Sequence, residues 1–210
     1  DATGAVRELQ RAADQAEHHG FTLLLRGILF NLVCAYTART EPRLMLATAQ
    51  RGWDLQPPLP LVELRIMYRL AFVDAHAALG GLGLAWEHAR AAVDDALTLG
   101  TQLALAAAVK TCIELFALVG DEDGRLRLLA AIDEKAMRQA PQLANEMGIA
   151  AAQAALLQGD LAAARGALSR VAAPDAIESP RERARLGLAQ AQLAWAEGDL
   201  ARALAVLPHD

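Results

Sequence analysis

Turn signals return along this chain at a nearly fixed interval, and that period constrains the fold more than any other feature. They fall at Thr40, Gly80-Gly81, Gly120-Asp121, Gly159-Asp160 and Gly198-Asp199, with spacings of 40, 40, 39 and 39 residues. A repeat length between about 20 and 50 residues marks stacked supersecondary units. The residue types supply a mechanism: glycine takes the left-handed position that ends one helix, and aspartate accepts the free N–H groups that open the next. The two best copies, Gly159 to Leu168 and Gly198 to Leu207, both read G-D-L-A-x-A-x-x-x-L. An earlier pair is related by two periods: Ala5, Ala12, Ala16 and Gly20 return as Ala85, Ala92, Ala96 and Gly100, with Leu9 replaced by Ala89.

Each period divides into two helices. The first of each pair is predicted at about 21–38, 60–79, 101–119, 141–158 and 180–197. The second follows at about 41–55, 83–99, 122–138, 160–172 and 199–207, with a leading helix over 2–19. Apolar residues recur at i, i+3, i+4 and i+7, and no segment alternates as a strand does. Pro57, Pro58 and Pro60 mark a loop, Pro141 and Pro180 suit first-turn positions, and Ser179 to Glu182 reads as the capping box S-P-R-E. The expected fold is therefore all-α: an α-solenoid of about five antiparallel helix pairs forming one domain over residues 1–210.

Composition fits that architecture. Hydrophobic residues are 54% but aromatics only 4%, so the apolar faces are built chiefly from Ala and Leu. Alanines at shared faces let backbones approach closely, and enlarging Ala164 or Ala203 is expected to overpack the turn by about 1–3 kcal/mol. The chain opens on a second-type helix and stops at Leu207-Pro208 without a polar capping helix, so a longer natural array is expected, at least N-terminally.

Several functional classes are disfavoured. A net charge of −5 opposes the sequence-independent phosphate attraction that drives nucleic-acid binding. No apolar run is free of a polar break over the length a membrane span needs, and no signal peptide is visible. Cys34 and Cys112 have no metal-ligand spacing and are expected as buried, inert thiols. His76 and His88 flank the Gly80-Gly81 turn and can approach each other, but no third ligand is fixed by spacing. His18-His19 suit a helix C-terminus, while Asp94-Asp95 and Asp121-Glu122-Asp123 suit helix surfaces and starts. With Ser169 and Ser179 the only serines, a serine nucleophile is disfavoured, and an enzyme with it; no cofactor and no metal is expected.

A polar column is the most informative signal. Counting back six residues from each turn glycine gives Asp74, Glu114, Gln153 and Gln192, all within apolar first-type helices, with Cys34 at the equivalent place in the first repeat. Lys110 stands one turn before Glu114, Trp195 one turn after Gln192, and Glu146 and Arg185 share a second repeated position. Such groups suit a groove that binds a polar metabolite or a peptide. They equally suit a solvated face with one Lys110–Glu114 pair worth about 0.3–0.5 kcal/mol.

The G-D-L-A-x-A-x-x-x-L motifs resemble the tetratricopeptide-repeat consensus, although 39–40 residues exceeds that family's usual period. The long Ala/Leu-rich pairs look like the superhelical regulatory domain of MalT-like and related ATP-dependent LuxR-type bacterial transcriptional regulators. That resemblance implies a right-handed superhelix whose concave wall carries the polar column. It also implies a sensor module that switches the parent protein on binding an effector or a protein partner, with self-association through that parent. Neither a G-x-x-x-x-G-K-[ST] loop nor a DNA-reading helix lies within the 210 residues, so no direct nucleic-acid contact is expected. Eighteen arginines against two lysines fit a GC-rich bacterial coding sequence, and the thiols and the resemblance favour the cytoplasm. The alternative is a constitutive tetratricopeptide-type interaction scaffold with no switch.

Overall fold

The computed structural model describes residues 2–55, 61–131, 141–177 and 180–207. The described residues are all-helical, with no strand among them. The helices are α1 (Ala2–His18), α2 (Thr22–Ala38), α3 (Pro42–Asp54), α4 (Val62–Ala78), α5 (Leu82–Leu99), α6 (Gln102–Val119), α7 (Glu122–Ala130), α8 (Pro141–Leu157), α9 (Leu161–Leu168), α10 (Pro180–Ala196) and α11 (Leu200–Val206). A 3₁₀ turn at Pro174–Ala176 lies between α9 and α10.

The turns form by the chemistry expected of them. Gly80, Gly120, Gly159 and Gly198 have φ between 75° and 84°, and Thr40 takes the same left-handed role at 54°. One residue further on, the chain folds back onto the helix it has just left. The N–H groups of Gly81, Asp121, Asp160 and Asp199 donate to the carbonyls of His76, Phe116, Ala155 and Ala194 at 2.8–2.9 Å. These are the closing bonds of a Schellman motif. Three aspartates then cap the next helix: Asp121 accepts from the Gly124 N–H, Asp160 from that of Ala163 and Asp199 from that of Arg202, all at 2.9–3.0 Å.

The chain divides into two compact units, Asp1–Thr111 and Cys112–Asp210, with the division falling inside α6. In the first unit each helix packs on the next from α1 to α5, and α2 also meets α4. Leu25, Leu29, Leu32, Val33, Tyr36, Met45, Tyr68 and Phe72 fill its core. The α5 alanines Ala85, Ala89, Ala92 and Ala96 are wholly buried, so a repeated small residue marks a helix contact. In the second unit α8 packs on α9 and α10, and α10 packs on α11. Ile149, Ile177 and Leu186 form one cluster there, and Ala155, Ala164 and Leu193 another.

Three expectations need correction or delimiting. The helix expected over 160–172 ends at Leu168, because the chain turns through 169–171 and the Ala172 N–H donates to Asn145 Oδ1 at 2.9 Å. Cys34 is exposed, not buried, since its position on α2 faces away from the core; Cys112 is buried. The loop prolines Pro57, Pro58 and Pro60, the capping residue Ser179 and the end of the helix expected over 122–138 lie outside the described residues. By length and composition α6 is long and apolar enough to cross a membrane; it carries Lys110 and Glu114 and buries Ala104, Ala108, Val109 and Phe116 within the protein.

Candidate functional site

In the second unit three helices bring polar side chains to one point. Glu146 and Gln153 lie two turns apart on α8 and so share a face. Glu114 comes from α6, and Arg185 from the second turn of α10. Arg185 Nη1 donates to Glu146 Oε2 at 2.5 Å. Its Nη2 donates to Glu114 Oε1 at 2.5 Å and to Gln153 Oε1 at 3.2 Å. The side chains of Arg185 and Glu146 are 19% and 17% exposed, whereas Glu114 is 36% exposed. One guanidinium thus meets two carboxylates and an amide oxygen. Two carboxylates against one guanidinium leave the group with a surplus of one formal negative charge. A molecule presenting hydroxyl or ammonium donors matches that surplus.

Of the residues expected in a groove, this arrangement gathers Glu114 and Gln153, joined by Glu146 and Arg185. Glu114 is engaged by Arg185, not confined to the expected pair with Lys110 on its own helix. Gln192 and Trp195 are exposed on α10, with Trp195 at 69%. Asp74 and Lys110 are exposed residues of the first unit.

The first unit holds a second polar and aromatic assembly. His76 and His88 do meet across the Gly80-Gly81 turn: their rings are 5.7 Å apart and nearly parallel at 6°. His88 also stacks on Phe72 at 4.7 Å, and Phe72 meets Trp53 edge-on at 5.8 Å. Burial, then the charges of His76 and Arg69, pushes the His88 pKa down against the opposing pull of Glu87. Among the described residues no group of three or more His, Cys, Asp or Glu side chains is placed to hold a metal ion. Asp95 accepts from Arg65 Nη2 at 2.7 Å and from Arg69 Nε at 3.0 Å, so it ties α5 to α4. Arg69 also lies 5.1 Å from the centroid of the Trp53 ring.

Sequence reasoning missed the partners of Asp95, which lie 26 and 30 residues away. It also missed Arg26, although a signal was present: Arg26 is the only charged residue in α2. No family model, no curated protein and no solved structure matches the chain.

Proposed function

We propose that the chain is a sensing domain of tetratricopeptide-like α-solenoid type, whose helix pairs follow a 39–40-residue period. It binds a polar effector or a protein segment at the face formed by Glu114, Glu146, Gln153 and Arg185. One observation carries the reading: Arg185 on α10 draws together acceptors from α6 and α8 while Glu114 stays partly open to solvent. A ligand bearing hydroxyl or ammonium donors replaces the guanidinium at Glu114 and Gln153 without leaving a buried charge unpaired. Because Arg185 spans three helices, occupancy of this face changes how they are held, which is the requirement for a switch. The setting within a bacterial transcriptional regulator rests on the resemblance of the G-D-L-A repeats and the long Ala/Leu-rich pairs.

A constitutive interaction scaffold is the second reading, favoured by the fact that Arg185 already has three protein partners and needs no ligand to be satisfied. Thermal stabilisation by a panel of sugars, polyols, amines and carboxylates separates the two. Sensing requires that a donor-rich small molecule raises the melting temperature of the wild-type chain and not that of the Glu114→Ala/Gln153→Ala variant. Equal stabilisation of both removes the face from the account. Binding confined to peptides supports the scaffold.

A further inference from the structure

α2 contains sixteen uncharged residues and one arginine. Arg26 is only 6% exposed, and its guanidinium lies over the Tyr68 ring, 5.4 Å from the centroid. The Nε is buried and has no hydrogen-bond partner. Among the described residues no ion pair reaches this guanidinium. A buried cation without a counter-charge is costly, and the aromatic ring offsets only part of that cost. The Nε–H is left over.

The surroundings fix the residues around this guanidinium. Tyr68 is wholly buried and its hydroxyl donates to the Arg26 carbonyl at 2.6 Å. It reaches that position past Gly52, where a Cβ would lie 2.0 Å from the hydroxyl oxygen. Phe30, one turn beyond Arg26, meets Tyr68 edge-on at 5.7 Å, and Cys34 follows one turn further, exposed. The stripe Arg26, Phe30, Cys34 therefore runs from the interior to the surface, one helical turn per step.

We propose that Arg26 anchors a binding site for a small organic monocarboxylate, with the carboxylate on the in-plane N–H edge and the apolar body against Phe30. The fork of the guanidinium matches a planar carboxylate, and phosphate has no apolar body to set against Phe30. This site shares no residue with the Arg185 cluster and prefers the opposite ligand charge, so the two readings stand or fall separately.

The test is ¹⁵N NMR of the intact chain titrated with benzoate, acetate and inorganic phosphate at constant ionic strength. The Arg26 Nε–H resonance is identified by its NOE contacts with the Tyr68 ring. Benzoate is expected to move it saturably, acetate to bind more weakly, and phosphate to leave it in place. Arg26→Lys, checked for fold by circular dichroism, is expected to bind benzoate about tenfold more weakly or worse. Phe30→Leu keeps the cation and brings the benzoate affinity towards that of acetate. The proposal is overturned by an unmoved resonance, by a phosphate response equal to that of benzoate, by acetate binding as tightly as benzoate, or by unchanged affinity in a folded Arg26→Lys.

Discussion

Arg185 Nη2 meets Glu114 Oε1 at 2.5 Å although 71 residues separate them in the chain. The contact makes α10 and α6 walls of one polar site, with α8 between them supplying Glu146 and Gln153. Truncating Arg185 removes the Nη1–H donor from Glu146, whose side chain is 17% exposed. Arg185→Ala is therefore expected to cost about 2–3 kcal/mol in urea unfolding. Glu114 is more than a third exposed, and solvent screens its share of the interaction, so Glu114→Gln should cost less than about 1 kcal/mol. A loss of similar size for both variants would mean that Glu114, not Glu146, is the principal partner.

Gly52 and Tyr68 form a size-matched pair. A methyl group on Gly52 would meet Tyr68 Oη at 2.0 Å and Cζ at 2.4 Å. Gly52→Ala is expected to destabilise the chain by at least about 1–3 kcal/mol through overpacking. Tyr68→Phe alone should cost about 1–2 kcal/mol, because it leaves the buried Arg26 carbonyl without its donor. In the double mutant the two costs should sum to less than their separate values, as removing the hydroxyl relieves the worst clash. Strict additivity in a double-mutant cycle would place the clash elsewhere.

His88 couples stability to pH. Its folded pKa is pushed below the ordinary value of 6.5, first by burial and then by His76 and Arg69. The unfolded chain thus binds this proton more readily than the folded one. The contribution is complete above the unfolded value and is lost as pH falls through the folded pKa. Urea midpoints should decline between about pH 7 and 5, and His88→Gln should flatten that decline. An unchanged slope in the variant would assign the decline to other groups.

Thr40 occupies a left-handed turn position that glycine holds at Gly80, Gly120, Gly159 and Gly198. A β-branched residue is strained there. Thr40→Gly is expected to raise stability by about 0.5–1 kcal/mol, the relief of strain exceeding the added backbone entropy of the unfolded chain. Calorimetry showing a lower melting temperature would mean that the Thr40 hydroxyl bond to the Arg39 carbonyl outweighs the strain.

The helical class and its turns were legible because they are local. Gly159-Asp160 and Gly198-Asp199 announce a left-handed stop and an N-cap within two residues, and the structure uses both atoms for those purposes. The approach of His76 to His88 was legible for the same reason, being the closure of one short hairpin. The polar site was legible in part. Register counting found Glu114 and Gln153, but not that Arg185 would bind both, since a side chain's reach across three helices is not a property of any single period. Where helix α9 ends was hidden too: Asn145, on the preceding helix, draws the Ala172 N–H out of the helical pattern. Cys34 was misplaced because an apolar run such as 22–36 hides which of its faces looks outward.

The central claim is that the Glu114–Glu146–Gln153–Arg185 face receives a ligand. Its most direct test is ¹H–¹⁵N chemical-shift mapping with the strongest donor-rich compound from the stabilisation panel. The account predicts saturable shifts concentrated at the Gln153 side-chain amide, the Arg185 Nε–H and the neighbouring backbone of α6, α8 and α10. Shifts confined to the exposed Trp195 indole, or scattered with no response at Gln153 and Arg185, would contradict it.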